Sequence, residues 1–136
     1  MQKSKYLEEL GLNPNLCDWI DQSDPRYQEM IDYENKYGVF PPANWNFDSF
    51  FARWLYCYLK DYLKDAGEVV DLNFYKFEQG GKTYSEEEAI KKILTSLKEY
   101  ITADNSWGSL EEIQRIVKNY QKAIHLFAEI LPALWW

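Results

Sequence analysis

Apolar residues recur at three- and four-residue spacing through much of the chain, the period of helices that bury one side. The first helix signal beyond the N-terminal segment is Asn13-Pro14, an Asn cap before a proline that lacks an N–H needing a partner. Asp24-Pro25 repeats the signal, and Tyr27, Met30, Ile31, Tyr33 and Tyr37 form an imperfect stripe that Gly38 closes. Pro41-Pro42 forbids helix and makes residues 39–44 an extended connector. Asn46 can then cap a helix whose stripe is Phe47, Phe50, Phe51, Trp54, Leu55, Tyr58, Tyr62 and Leu63, with Gly67 as its stop. Beyond it Val69, Val70, Phe74 and Phe77, followed by Gly80-Gly81, predict a short hairpin.

Two further helices open on capping boxes, Ser85 with Glu88 and Ser109 with Glu112. Their stripes are Ala89, Ile90, Ile93, Leu94, Leu97, Tyr100 and Ile101, and then Ile113, Ile116, Val117, Tyr120, Ile124, Phe127 and Leu131. Pro132 ends or kinks the last helix before Trp135-Trp136, two indoles expected to dock on the core or on another subunit. The expected fold is mainly α, a four- to five-helix bundle with one short β-hairpin. The 136 residues fit a single domain, 1–136, in which a helical segment 1–43 packs on 44–136.

Composition narrows the function classes. A formal net charge of −7 argues against general nucleic-acid binding, which needs a basic face to neutralise phosphates. It suits an acidic surface docking on a basic partner, and it leaves room for a small anion held by an arginine. No run approaches the ~18 apolar residues of a membrane span, and the N-terminus lacks the apolar run of a signal peptide, so a cytoplasmic location is expected. Cys17 and Cys57 form no CxxC pair and there is one histidine, which leaves no basis for a metal site. Both cysteines read as reduced core thiols.

Catalytic patterns are weak. His125 and Glu129 share a helix face without a second ligand or an HExxH spacing. Asp61 and Asp65 alternate with Lys60 and Lys64 as surface charge, and Glu86, Glu87 and Glu88 serve a helix N-terminus. Gly80-Gly81-Lys82-Thr83 lacks the upstream glycine of a phosphate loop, and no serine has an evident base. The chain is therefore expected not to be an enzyme and to use no cofactor. The candidate ligand site lies where aromatics crowd an arginine: Trp45 just outside the helix start, with Arg53 and Tyr56 pointing off the main stripe. Trp54, Tyr58 and Tyr62 are assigned to the core.

The run Asn44-Trp45-Asn46-Phe47-Asp48, the Phe-Phe-Ala-Arg-Trp-Leu stretch after it, Val70-Asp71-Leu72, Phe77-Glu78, Gly81-Lys82-Thr83-Tyr84 and the ending Ile130-Leu131-Pro132-Ala133-Leu134-Trp135-Trp136 together resemble a group of small uncharacterised phage and prophage proteins. That group shares a W-N-x-D helix start and an LPAxWW C-terminus, and the likeness covers about residues 44–136. It implies a non-enzymatic, phage-encoded binding protein that antagonises host antiviral defence and forms a homo-oligomer. Two targets follow: a small nucleotide-like immune signal sequestered by Trp45, Arg53 and Tyr56, or a host defence protein or nuclease inhibited by the acidic surface.

Overall fold

The computed structural model describes residues 4–14, 23–38, 47–103 and 108–134. Among them are five α-helices and one two-stranded antiparallel hairpin, a mainly α fold. The helices are α1 (Lys5–Glu9), α2 (Tyr27–Tyr37), α3 (Phe47–Ala66), α4 (Glu86–Thr102) and α5 (Leu110–Ile130). The strands are β1 (Lys76–Gln79) and β2 (Lys82–Ser85). The chain forms two compact units, residues 1–57 and 58–136, with their boundary inside α3.

In the first unit α1 starts ahead of the expected Asn13-Pro14 signal. Ser4 caps it by accepting from the Leu7 amide, and the Ser4 amide donates to the Pro14 carbonyl at 2.6 Å. Asn13-Pro14 thus closes the segment that α1 begins, and the helix expected after it lies outside the described residues, as do the 39–44 connector and the Asn46 cap. Asp24-Pro25 does precede a helix, two residues ahead of Tyr27. The Asp24 carboxylate accepts from the Arg26 amide at 2.9 Å and from its guanidinium at 3.0 and 2.8 Å. Those hydrogen bonds hold the carboxyl down at about 2. Gly38, at φ 77°, ends α2 in the left-handed conformation that glycine adopts without Cβ strain.

In the second unit the hairpin turns on Gly80 and Gly81, at φ 60° and 78°. Two successive positive φ values match the right-handed twist of the strands they join. The register pairs Phe77 with Tyr84 and Gln79 with Lys82. Val69, Val70 and Phe74, expected to join this hairpin, lie instead in the loop between α3 and β1. The hairpin packs on α4 and α5. Gln79 Nε2 donates to the Lys122 carbonyl at 2.7 Å, and Lys92 Nζ donates to the Tyr84 hydroxyl at 2.8 Å.

Helix α4 buries Ala89, Ile90, Ile93, Leu94 and Leu97 along the expected stripe. Helix α5 returns along it, with the Tyr100 and Tyr120 rings stacked 4.0 Å apart and Arg115 donating to both oxygens of Glu99 at 3.1 and 3.2 Å. The buried face of α5 is Ile116, Tyr120, Ala123, Leu126 and Ile130, rotated from the expected one: Ile124 and Phe127 are half-buried and Leu131 is exposed. Each fully buried Leu or Ile contributes ~1.5–3 kcal/mol relative to exposure. Pro132 ends α5 as expected, inside the 3₁₀ turn Leu131–Ala133. Trp135 and Trp136 lie outside the described residues.

The three glutamates that open α4 have separate fates. Glu88 completes the capping box, accepting from the Ser85 amide at 3.1 Å while Ser85 Oγ accepts from the Glu88 amide at 3.2 Å. Glu87 pairs with Lys91 at 3.0 Å. Glu86 is buried, and its Oε1 accepts from the Tyr62 hydroxyl at 2.9 Å. Burial pushes the Glu86 carboxyl up, opposed by the Tyr62 hydrogen bond, and burial first and that bond second push the phenol up.

Tyr62→Phe leaves the buried Glu86 oxygen without this donor and is expected to cost about 1–3 kcal/mol in urea denaturation. Because the Glu86 proton is held more tightly in the folded state, its contribution to stability is full below the ordinary carboxylate range. It is lost as pH rises through the raised folded value. Glu86→Gln is therefore expected to exceed the parent in stability near neutral pH, the gap closing on acidification. A gap of constant size across that range would show that Glu86 does not titrate differently on folding.

Candidate binding surface on helix α3

Helix α3 carries so many aromatic residues that rings alone do not reveal its buried side. That side is Ala52, Leu55, Tyr56, Leu59, Tyr62 and Ala66. Ala52, Leu59 and Ala66 repeat every seven residues, with Leu55 and Tyr62 interleaved, so the stripe follows small and aliphatic positions. Trp54, assigned to the core from sequence, is instead 40% exposed, and Tyr58 is half-buried. Tyr62 is buried as expected.

Of the residues expected to form a ligand site, Arg53 and Tyr56 stand one turn apart on α3. Tyr56 is only 5% exposed, and burial raises its phenol, with Cys57 and Glu9 adding to the shift. Arg53 is half-buried. Trp45 lies outside the described residues. Cys57, expected in the core, is half-buried, its Sγ 2.9 Å from Ser4 Oγ, which ties the α1 cap to α3 within the first unit. Cys17 lies outside the described residues.

What α3 does expose is a row of rings. Phe47, Phe51 and Trp54 follow each other at spacings of four and three, which places them one above the next on one strip of the helix. Phe47 and Phe51 stack with centroids 5.7 Å apart, and Phe51 and Trp54 at 6.4 Å, with planes inclined by 25° and 28°. Phe47 is 59% exposed and Phe51 half-buried. Since successive residues turn by about 100°, the row sits roughly a quarter turn from the buried stripe. Arg53, next to Trp54 in sequence, projects elsewhere. The i, i+4, i+7 spacing was present in the sequence, but Leu55, Tyr58 and Tyr62 around it made the rings read as core.

Other chemistry-bearing residues are dispersed. His125 and Glu129 are both exposed on α5, as are Asp61 and Asp65 on α3. Lys82 and Thr83 are exposed strand residues paired with Gln79 and Glu78. Among the described residues no three His, Cys, Asp or Glu side chains assemble as a metal-ligand set, and no helix is long and apolar enough to cross a membrane. Comparison of the chain with protein-family models, with curated proteins and with solved structures returned no match.

The two faces of α3 should respond oppositely to substitution. Ala52→Leu forces extra methylenes into a closed contact and is expected to cost about 1–3 kcal/mol. Trp54→Ala, on the exposed row, is expected to stay within about 0.5–1 kcal/mol of the parent in the same denaturation assay. A larger loss for Trp54→Ala than for Ala52→Leu would reverse the assignment of the faces.

Proposed function

We propose that this chain is a non-enzymatic binding protein that docks on another protein through the aromatic row of α3. The observation that carries the reading is the exposure of Phe47 and Trp54, bridged by the half-buried Phe51 and stacked with it in sequence order at i, i+4 and i+7. That spacing is how a helix offers anchors to an apolar groove. Aromatic anchors bury large area with few torsions to freeze, and mutual stacking limits their freedom before binding, so less entropy is lost on docking. A helix strip is convex, whereas a small ligand needs a concavity that buries most of its surface. With Tyr56 inside and Arg53 off the row, this contrast favours the protein-inhibitor reading over nucleotide sequestration.

In this reading the partner is a host defence protein met in the bacterial cytoplasm, as the resemblance to phage proteins implies. The net charge of −7 adds long-range attraction to a basic partner and speeds encounter.

Native mass spectrometry of the protein recovered gently from bacterial lysate tests this directly. The expected result is an added mass of protein size that is lost in the Phe47→Ala/Trp54→Ala double variant while the thermal melt is kept. An added mass on the order of a few hundred daltons, retained by that variant and lost in Arg53→Ala, would replace protein docking with nucleotide sequestration.

A further inference from the structure

The loop joining α3 to β1, residues 67–75, is held in place along its length. The amides of Val69 and Val70 both donate to the Ala66 carbonyl, at 3.0 and 2.9 Å, and wrap the loop onto the end of α3. Asp71 then organises a turn: its Oδ1 accepts from the Asn73 amide at 2.9 Å and its carbonyl from the Phe74 amide at 3.3 Å. Leu72 is buried, and its carbonyl accepts from the Glu87 amide at 3.0 Å at the start of α4. Asn73 Nδ2 donates to Glu87 Oε2 at 3.3 Å, and Glu87 is itself fixed by Lys91.

Leu72 apart, this backbone leaves its large apolar side chains exposed. Val69 is 61% and Phe74 72% exposed, Val70 and Tyr75 are exposed as well, and the last two rings meet edge-to-face at 5.1 Å. Four exposed large apolar residues stand within positions 69–75 of an ordered loop, and exposed apolar clusters mark interaction surfaces. Glu68 and Asp71 are exposed acidic residues of the same loop, and no Lys or Arg occurs between the flanking Lys64 and Lys76.

We propose that residues 67–75 form a preformed docking surface for a protein partner whose contact face is apolar and rimmed by Lys or Arg. A second copy of this chain is the wrong occupant, since pairing loop with loop brings Glu68 and Asp71 against their own counterparts in a chain of net charge −7. The fixed backbone leaves little ordering to be lost on binding, so the apolar contacts reach the affinity with a small entropic cost. The surface is separate from the α3 row and stands without it.

Three synthetic helical peptides of equal length test the proposal on the full chain: Leu on one face with Lys on the other, Leu with Glu, and Ser with Lys. The Leu/Lys peptide is expected to bind, with amide chemical-shift changes concentrated in Val69–Tyr75. The double variant Val69→Ser/Phe74→Ser should weaken binding about tenfold or more, and Glu68→Lys several-fold. Binding should persist in Phe47→Ala/Trp54→Ala, which separates this surface from the aromatic row. Failure of the Leu/Lys peptide to bind, equal binding of either other peptide, or full binding by the double serine variant each overturns it. So does a dimer of the parent chain, seen by sedimentation, that Val69→Ser/Phe74→Ser dissociates.

Discussion

The hydroxyl of Tyr62 donating to the buried carboxylate of Glu86 links the C-terminal half of α3 to the first turn of α4. A carboxylate is expensive to remove from water, and one partner removed leaves the other stranded, so this contact constrains much around it. It fixes where α4 begins relative to α3. That placement sets Glu87 under the 67–75 loop, where its amide meets the Leu72 carbonyl and its carboxylate meets Asn73. It also sets Ser85 and Glu88 to close the cap that joins β2 to α4. Three adjacent identical side chains thus serve burial, loop attachment and capping, distinguished by nothing but the direction each takes from the helix.

Side-chain size decides which faces of α3 and α5 are buried. An element that approaches another closely needs a small residue where the backbones come nearest, and the surrounding volume is filled by aliphatic side chains. Ala52 and Ala66 lie on the buried face of α3, and Ala123 on that of α5. In α3 Phe47 and Trp54 are surface instead of core, and Tyr56 is inside.

Surface and function follow from that partition. The aromatic row of α3 belongs to the first unit and the 67–75 loop to the second. Both present rigid apolar groups on a well-bonded backbone. Among the groups with perturbed protonation, Asp24, Glu87 and Glu88 are engaged in ion pairing or capping and Tyr62 and Glu86 in their mutual contact, while Tyr56 is shifted chiefly by burial. Apolar display on a hydrogen-bonded backbone is the physical basis of the protein-docking proposal.

Local signals in the sequence determined the mainly helical character, the starts of α4 and α5 at Ser85 and Ser109, the stops at Gly38 and Gly67, and the Gly80-Gly81 turn. Each is set by hydrogen-bonding or backbone geometry within a few residues, which is why it can be read along the chain. The start of α1 was equally local, at Ser4, but a single short turn offers too little periodicity to stand out. Tertiary structure alone decided which rings of α3 face out, that Glu86 is buried, and that Val69, Val70 and Phe74 form a loop instead of a strand. Those choices depend on contacts between segments distant in sequence. An abundance of interchangeable aromatic and apolar residues satisfies several helix rotations equally well until tertiary packing selects one.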